Sequence, residues 1–433
     1  MLGEQTRDWT LALGGAGDLP LLGAPSTSGG RGLGPAYYWL LWLGRVTIGP
    51  FMDNLPHAGG VVVALLQSSG DVWLFLALSR RVPWGLALAG CLLLASGPFD
   101  IAISSVIWNP PVAEALIKMA IASAMTIGHT PLAAAAHGSL ALTAALGWMA
   151  VQAHLSAIFV AAPLLLGVVL QPLLHQRRRV FEHDTTSGQR RLAWQESARA
   201  VAIVTLAIVL LQIPFLISLA TAPETPAGPS TAIAAIAGGR TFEPMRGLDI
   251  VAGVTGNIVK PMPDEFKFWI PTLVAAAIVL IVFRRDAIVL GASLGAVATA
   301  SLVFARWTGS YDRYWFLTMA PSMTLLFTMA FAAVPLKPLV RLAGIALALW
   351  VASWQPARII ESQRFFEYPQ YETMVRASRD ILRRAPVVRD IRVTFEVHPT
   401  MDRTFVYTIL GGRIDPSALY TAVINADGSV TLQ

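Results

Sequence analysis

Acidic side chains are concentrated at the start of the chain, beside flexible backbone. Glu4, Asp8 and Asp18 precede the glycine-rich stretch Gly-Gly-Arg-Gly-Leu-Gly-Pro-Ala-Tyr-Tyr at positions 29–38. A carboxylate can act as a general base on the hydroxyl of an acceptor molecule. The same acids can also do no more than keep a surface loop solvated. The residue types alone leave both interpretations open.

A second set of ionisable residues lies inside apolar runs. Glu114 and Lys118 are four residues apart, which is one turn of a helix. Ionisable residues within a membrane segment are candidates for function, but a Glu–Lys pair at this spacing can also satisfy itself. Asp71 and Asp100 are further acids in apolar runs, and the sequence names no partner for either.

Motifs for metal or nucleotide binding do not occur. The sequence contains no Cys/His cluster, no phosphate-binding glycine loop and no His-Glu-x-x-His. Its spacing therefore predicts no metal site, and dependence on a divalent metal stays open. The single cysteine, Cys91, lies in an apolar run and cannot form an internal disulfide.

The composition predicts an integral membrane protein. Of the 433 residues, 55% are hydrophobic and only 13% are charged, whereas a soluble domain has about 25% charged residues. The net charge is +6, but the densest basic run, Arg177–Arg179 with Arg190 and Arg191, directly follows an apolar stretch. This placement indicates a cytoplasmic loop and membrane lipids as partners, and it argues against nucleic acid.

Ten apolar runs are candidates for crossing a bilayer, which takes about 20 residues. Because backbone in hydrocarbon must satisfy its own hydrogen bonds, each run predicts a helix. The predicted spans are Ala58–Leu78, Trp84–Ile107, Pro111–Ile127, Leu132–Ala150, Leu155–Leu174, Ala198–Leu219, Phe268–Phe283, Ala287–Ala305, Trp315–Val334 and Leu339–Trp354.

Basic residues predict the orientation. One set of connections contains Arg80 and Arg81, the Arg177–Arg191 cluster, Arg284 and Arg285, and then Lys337 and Arg341. Cation-rich connections are cytoplasmic. We therefore expect a multi-pass protein of the cytoplasmic (inner) membrane in three parts. These are an extracytoplasmic first loop (1–57), a transmembrane bundle (58–354) and an extracytoplasmic C-terminal region (355–433).

The polar parts differ in their predicted structure. Pro35–Ile48 is aromatic, short and interrupted by Gly44 and Arg45, which favours a helix lying at the membrane interface over a span. The 221–267 loop has no strong periodicity. The C-terminal region predicts a small α+β unit, with a helix at Tyr371–Arg384, strands at Ile391–Val397 and Phe405–Leu410, and a hairpin of Leu419–Val423 with Ser429–Leu432.

Several motifs occur in an order that resembles one family of membrane enzymes. They are Glu4-Gln5-Thr6-Arg7-Asp8, Pro20-Leu21-Leu22-Gly23, Gly34-Pro35-Ala36-Tyr37-Tyr38, Ile107-Trp108-Asn109-Pro110, Gln152-Ala153-His154-Leu155-Ser156-Ala157 and Tyr311-Asp312-Arg313-Tyr314-Trp315-Phe316-Leu317. To about residue 335, the chain resembles bacterial membrane glycosyltransferases related to the protein O-mannosyltransferases and the aminoarabinose lipid A transferases (glycosyltransferase families 39 and 83). These enzymes have the GT-C fold.

The resemblance implies an inverting glycosyltransferase. Its donor would be a sugar on polyprenyl phosphate, and its acceptor a glycan, a lipid or a protein. An acid of the first outer loop would activate the acceptor, which points to Glu4 and Asp8. The family usually has aspartate where this chain has Glu4, so either acid can be the working one. The family also has a membrane helix before this loop, and we expect that this helix either lies upstream of this chain or has been lost.

The resemblance further implies a cationic residue that steadies the leaving phosphate. Arg313, Arg306 and Tyr314 are the candidates for donor binding, against an interpretation as interface anchors. Candidates that contact the acceptor or shape the loop are Gly34, Pro35, Tyr37, Tyr38, His154 and Asn109. His154 can equally be a satisfied interface residue, and Asn109 a helix cap before Pro110.

Two rival functions come from other classes. A transporter or lipid flippase needs polar residues inside the bundle, where Asp71 and Asp100 could serve. A non-catalytic membrane subunit or a polysaccharide polymerase would tolerate neutralisation of Glu4 and Asp8. The fold expected on the first interpretation is an all-α, GT-C-like bundle of about ten transmembrane helices with a small α+β C-terminal region.

Overall fold

The structure is a computed structural model, and it describes residues 3–25, 31–52, 55–127, 134–182, 187–221, 238, 241–258, 268–308, 313–365, 371–384, 391–395, 418–425 and 427–433. The first half contains helices α1 (Gly3–Ala12), α2 (Ala36–Thr47), α3 (Leu55–Ser79), α4 (Trp84–Ala95), α5 (Pro98–Ile103), α6 (Asn109–Thr126), α7 (Ala134–Ala153), α8 (Ile158–Glu182) and α9 (Ser187–Thr221).

The second half continues as a helical bundle and ends in a small sheet. Its helices are α10 (Pro244–Ile258), α11 (Trp269–Val282), α12 (Ala287–Phe304, with a π-helical turn at Gly291–Gly295), α13 (Ala320–Ala332), α14 (Lys337–Phe365) and α15 (Tyr371–Arg384). Short 3₁₀ turns cover Ala16–Asp18, Gly49–Phe51, Leu155–Ala157 and Arg313–Met319, and the strands are β1 (Ile391–Phe395), β2 (Tyr420–Ile424) and β3 (Val430–Leu432).

The bundle has the length and composition of a membrane protein. Within the described residues, five helices are long and apolar enough to cross a membrane: Pro56–Leu78, Leu155–Leu174, Arg191–Thr221, Ala287–Phe304 and Lys337–Trp354. Three shorter apolar helices, Trp84–Ala95, Trp269–Val282 and Phe316–Ala332, accompany them. Together with α6 and α7, these helices coincide with the ten predicted spans.

One predicted span is broken. The run Trp84–Ile107 was expected to form a single helix, but α4 ends at Ala95 and the six-residue α5 begins only at Pro98. Proline has no N–H to continue an α-helical hydrogen-bond ladder, and it disfavours helical backbone at the residue before it, which here is Gly97. The break places Asp100 in the first turn of α5, inside the bundle.

The helix α10 lies in the 221–267 loop, where no periodicity indicated one. It packs closely on α12, because a Cβ at Gly247 would lie 2.0 Å from the Ser301 carbonyl oxygen. The Glu243 N–H also donates to the carbonyl of Ala305 at 2.9 Å. Val251 is also buried in the core, and Leu248 and Ile250 pack against it. Both backbone contact and an apolar face therefore hold this helix, which was not predicted from the sequence.

The helix α6 forms the centre of the bundle. Every residue from Pro110 to Met125 is buried, and α6 packs against α3 on one side and α7 on another. In a helix that is buried on all sides, polar side chains need hydrogen-bond or ion-pair partners on neighbouring helices. The polar side chains of α6 must therefore find their partners inside the protein.

The two ends of the bundle are joined differently. At one end the Trp9 ring of α1 contacts Gly59 near the start of α3; this end is called the first-loop end. At the opposite end Arg81 pairs with Asp286 and donates to the Met125 carbonyl at 3.0 Å. Asp286 in turn caps α12 by accepting from the Val289 N–H.

The C-terminal residues form the expected small α+β unit. Strand β1 is parallel to β2, and β2 is antiparallel to β3 in a hairpin. Gly428 turns this hairpin with a φ of 81°, which suits glycine. The predicted strand Phe405–Leu410 lies outside the described residues. Helix α14 continues without interruption across position 354, where the bundle was expected to end.

Candidate functional site

The structure buries Asp8 between α1 and α2. Trp9 and Ala12 anchor α1 in the core, and the Asp8 side chain is fully buried. The Arg7 Nη2 and Nε atoms lie 2.7 and 2.8 Å from Asp8 Oδ1. The Tyr38 hydroxyl donates to the same oxygen at 3.1 Å. Asp8 Oδ2 accepts no hydrogen bond from the described residues, so one face of the carboxylate is fixed and the other is unused.

Two tyrosines complete this arrangement. Tyr37 and Tyr38 are fully buried in the first turn of α2, with ring centroids 5.3 Å apart. The Tyr37 hydroxyl has no hydrogen-bond partner among the described residues, yet it lies near enough to Asp8 to affect its titration. Arg7, Asp8, Tyr37 and Tyr38 are together called the Asp8 site. It contains a carboxylate, one cation and two hydroxyl donors.

Burial tunes the proton affinity of this site. Loss of hydration raises the pKa of Asp8 above its ordinary value, although the Arg7 charge and the hydrogen bonds from Arg7 and Tyr38 oppose that rise. Burial also raises the pKa of Tyr37 and Tyr38, and the nearby Asp8 charge adds to this effect. Both tyrosines therefore stay protonated as donors, while Asp8 moves towards the range where a general base is effective.

Glycines let the first loop lie on the end of α7. A Cβ at Gly34 would be 2.4 Å from Gln152 Cδ, and one at Gly23 would be 2.7 Å from the Gly34 carbonyl oxygen. The Gly23 N–H donates to the Gly32 carbonyl at 3.1 Å. Pro35 then directly precedes α2. Gly34 and Pro35 are thus placed as expected for residues that shape the loop beneath Tyr37 and Tyr38.

Arg31 is a loop cation that sequence reasoning did not select. Its Nε donates to the Gly23 carbonyl at 3.1 Å, and its charge lowers the proton affinity of Tyr38. The sequence places Arg31 only among glycines, which indicates flexibility rather than proximity. Arg31 is therefore a second cation beside the Asp8 site.

His154 and Asn109 join helices at the first-loop end. The Asn109 Nδ2 donates to the Ala153 carbonyl at 2.9 Å, so its side chain does not cap α6, which was one of its two interpretations. His154 Nδ1 lies 2.7 Å from Ser156 Oγ, which in turn lies 3.0 Å from Thr318 Oγ1. Burial lowers the pKa of His154 to about 4, so its imidazole is neutral at ordinary pH.

The remaining candidates are only partly described. Glu4 lies in α1 one turn before Asp8, and its side chain is outside the described part of the structure. The same holds for the side chains of Arg313 and Tyr314, which open the 3₁₀ turn Arg313–Met319. Arg306 lies two residues after the end of α12 and is exposed. Phe304 contacts Phe316 with ring centroids 4.9 Å apart, which brings these two segments together.

A separate group of polar side chains meets inside the bundle. Lys118 Nζ lies 2.7 Å from Gln67 Oε1, 2.9 Å from Asp71 Oδ1, 3.5 Å from Asp100 Oδ1 and 3.6 Å from Glu114 Oε1. These five residues are called the Lys118 cluster. Sequence spacing pairs only Glu114 with Lys118, whereas the fold gives Asp71 and Asp100 the same partner. Gln67 was not foreseen, because a single glutamine in an apolar run carries no distinctive signal.

The described residues contain no group of three or more His, Cys, Asp or Glu side chains arranged to hold a metal ion. The chemistry available at the Asp8 site is thus a buried carboxylate that can accept a proton, with an arginine and hydroxyl donors beside it.

Comparison with solved structures identifies the fold as GT-C-like. The crystal structure of ArnT from Cupriavidus metallidurans bound to undecaprenyl phosphate superposes with a TM-score of 0.52 and 14% identity, over 95% of this chain and 72% of that chain. The apo structure of the same protein gives a TM-score of 0.47 at 14% identity. No family model and no curated protein matches the chain. At this identity the likeness shows a shared fold.

Proposed function

We propose that this chain is a membrane glycosyltransferase that moves a sugar from a polyprenyl-phosphate donor to an acceptor hydroxyl. The observation that carries the proposal is the fully buried Asp8 carboxylate, held through one oxygen by Arg7 and Tyr38. It lies in the first loop of a chain whose fold resembles that of ArnT, which has been crystallised with undecaprenyl phosphate. Burial of a carboxylate is energetically costly, and carboxyl groups that are buried beside a charge partner are candidates for functional sites.

The reaction would be a single displacement. The acceptor oxygen attacks the anomeric carbon as the bond from that carbon to the phosphate oxygen breaks, and the electron pair leaves with the phosphate. The Asp8 carboxylate takes the acceptor proton, and its raised pKa suits this role. One displacement inverts the anomeric centre. The acceptor is a glycan, a lipid or a protein, at the extracytoplasmic face of the inner membrane.

The leaving polyprenyl phosphate needs positive charge, since electrostatic stabilisation of the departing group lowers the barrier. Arginine suits this task because its guanidinium binds phosphate through two N–H groups. Arg31 is one candidate for this role, since its charge acts on Tyr38, and Arg306 and Arg313 are further candidates. Each of these arginines is replaced in turn, and replacement of the one that binds the phosphate should raise the KM for the donor more than it lowers kcat.

The test is transfer of labelled sugar from a panel of polyprenyl-phosphate sugars in membranes that contain the chain, alone and extended upstream if the reading frame is open. Asp8→Asn and Glu4→Gln are compared with Asp18→Asn, an exposed acid of the same segment. Loss of transfer in Asp8→Asn alone supports Asp8 as the base. Loss in Glu4→Gln alone assigns the base to Glu4 instead. Wild-type transfer in both acid variants contradicts the proposal.

A transporter or flippase is the second candidate, and the Lys118 cluster is the observation in its favour. Charged side chains inside a bundle often line a substrate path. That function predicts movement of lipid or solute across proteoliposomes without glycosyl transfer. Absence of transfer in every form of the chain, across donors and acceptors, together with such movement, would establish it.

A further inference from the structure

The Lys118 cluster is buried apart from Asp71, whose side chain is 19% exposed. Lys118 and Glu114 are fully buried, and Asp100 is 7% exposed. They belong to three elements of the bundle: Gln67 and Asp71 to α3, Asp100 to α5, and Glu114 and Lys118 to α6. Gln67 also donates to the Pro111 carbonyl at 2.8 Å and to Glu114 Oε2 at 3.3 Å. The cluster thus ties three helices together.

The charges of the cluster do not balance. One ammonium faces three carboxyl groups, which leaves two negative charges in excess when all three are ionised. Buried charges need opposite charges and hydrogen bonds to offset their lost hydration. Asp71 Oδ1, Asp100 Oδ1 and Glu114 Oε1 all accept no hydrogen bond of good geometry from the described residues. A bound proton would remove one charge and also supply a missing donor.

The geometry identifies where this proton would lie. Asp100 Oδ1 and Glu114 Oε1 both approach Lys118 Nζ, at 3.5 and 3.6 Å. Because both oxygens approach the same nitrogen atom, the two carboxyl groups are neighbours. Asp71, in contrast, has the shorter ion pair with Lys118, at 2.9 Å. The pair that is least satisfied by the ammonium is therefore Asp100 with Glu114.

No other described charge offsets the excess. The thiol of Cys91 on α4 faces Asp71 and Lys118, but it is neutral when protonated. Helices α10 and α14 also contact α5. The charged side chains described on these two helices are exposed: Arg246, Asp249, Lys337 and Arg341.

The proton would act on the short helix α5, close to the break that separates it from α4. Asp100 belongs to the short helix α5, and the chain after α5 packs on α3. A Cβ at Gly60 would lie 2.6 Å from the Ser105 carbonyl oxygen, and one at Gly59 would lie 2.8 Å from Ile107 Cδ1. The same Cβ at Gly59 would lie 2.7 Å from Cζ3 of the Trp9 ring. Contacts therefore run from Asp100 through residues 105–107 and α3 to Trp9, the neighbour of Asp8.

We propose that Asp100 and Glu114 share one proton inside the bundle, and that this proton holds Asp100 of α5 beside Glu114 of α6 and so supports α1. When the proton leaves to solvent at high pH, two carboxylates face each other and repel, and Asp100 moves away from Glu114 together with α5. Asp100 and Glu114 thereby act as positioning residues for α1. Their effect on sugar transfer rests on the proposed function, whereas the shared proton itself does not.

Infrared spectroscopy of the purified protein in nanodiscs tests the proton directly. The wild-type protein should show the C=O band of a buried protonated carboxyl group, and the band should disappear as the pH rises. Asp100→Asn should remove the band while preserving the fold, because its amide can donate to Glu114. Asp18→Asn should retain it. Absence of the band from wild-type protein, or its persistence in both Asp100→Asn and Glu114→Gln, would overturn the proposal.

Hydrogen exchange tests the link to α1. After correction for intrinsic rates, α1 in wild-type protein should lose protection over the pH range in which the infrared band disappears. In Asp100→Asn this protection should no longer depend on pH over that range, since no proton is left to lose. Unchanged protection of α1 in wild-type protein, while the band titrates, would refute the positioning role. Neither readout needs a sugar donor, so both stand apart from failure of the proposed function.

Discussion

The Asp8 site and the Lys118 cluster each contain buried carboxylate groups beside a cation, but the two cations differ in their exposure to solvent. The Arg7 side chain is 38% exposed, while the Asp8 side chain that it contacts is fully buried. The Lys118 side chain is fully buried with its partners around it. The Asp8 site therefore has a solvent-exposed side, through which a proton or a phosphate can enter and leave. The Lys118 cluster is buried apart from Asp71, whose side chain is 19% exposed, so its charge balance is set mainly within the protein.

This difference separates stability from activity. Removing one member of a buried ion cluster leaves uncompensated charge in the interior and lowers stability. Replacing a carboxylate whose partner is exposed to solvent should lower mainly the activity. Substitutions at the two regions should therefore fail in different ways, and the following predictions are ordered from the largest expected effect to the smallest.

Lys118→Met should cost about 3–5 kcal/mol of stability, because it removes the one cation from three carboxyl groups. The measurement is the yield and thermal unfolding of the purified protein, with exposed Lys337→Met as the control. Adding Asp71→Asn and Asp100→Asn to Lys118→Met should recover part of the loss. Equal stability of Lys118→Met and wild-type protein would contradict a buried cluster.

Asp8→Asn should lower sugar transfer by about 100- to 10,000-fold, the usual contribution of a general base. The change is nearly isosteric, and Arg7 remains partly solvated, so the unfolding temperature should stay close to that of the wild type. The measurement is kcat for transfer at saturating donor, alongside thermal unfolding. A loss of activity that only follows a loss of folded protein would place Asp8 with the structural residues.

Gly34→Ala should destabilise the first-loop end by about 1–3 kcal/mol, because the new methyl group would overlap Gln152. Gly138→Ala is the matched control, since nothing lies within 4 Å of a Cβ there. The double variant Gly34→Ala with Gln152→Ala should regain part of the stability in thermal unfolding. If Gly34→Ala alone behaves as Gly138→Ala does, the loop does not rest on α7 as described.

Tyr38→Phe should have the smallest effect, with transfer lowered roughly two- to tenfold at neutral pH through loss of one hydrogen bond. The Tyr38 bond and the Arg7 charge both lower the pKa of Asp8. Removing either should move the acidic limb of the pH–rate profile to higher pH, and Arg7→Gln should move it further than Tyr38→Phe. A shift to lower pH would mean that another group sets this limb.

The raised pKa of Asp8 also has a consequence for folding. The folded protein binds the Asp8 proton more tightly than the unfolded chain does. The contribution of Asp8 to the free energy of unfolding should therefore fall as the pH rises from the ordinary Asp range to its raised pKa. Asp8→Asn should abolish that part of the pH dependence.

The apolar runs predict most of the helices because length and hydropathy dominate in a membrane. The break at Gly97–Pro98 was missed because the apolar run was followed across a proline that marks the end of a helix. Helix α10 was missed because its apolar face, with Leu248 and Val251, is short and lies within a polar loop.

The candidate site was partly predictable. Asp8, Tyr37 and Tyr38 stand out by type and order, and the structure joins Asp8 to Tyr38. Proximity in three dimensions is what sequence alone does not supply. Asp71 and Asp100 have no visible partner in the sequence because Lys118 lies 47 and 18 positions away, on a different helix. The roles of all the candidate site residues remain predictions, and for Glu4, Arg313 and Tyr314 the side chains also lie outside the described part of the structure.

The pairing of Arg81 with Asp286 constrains how the protein is made. These residues are 205 positions apart, and synthesis proceeds at about 5–20 residues per second. Arg81 must therefore wait roughly 10–40 seconds, while helices α4 to α11 emerge and insert, before Asp286 appears. During biogenesis the Arg81 guanidinium can donate to the Met125 carbonyl of α6, but it lacks its carboxylate partner. Arrival of α12 then closes the bundle, so a ribosome that stops before residue 286 would leave an assembly that a membrane quality-control protease could recognise.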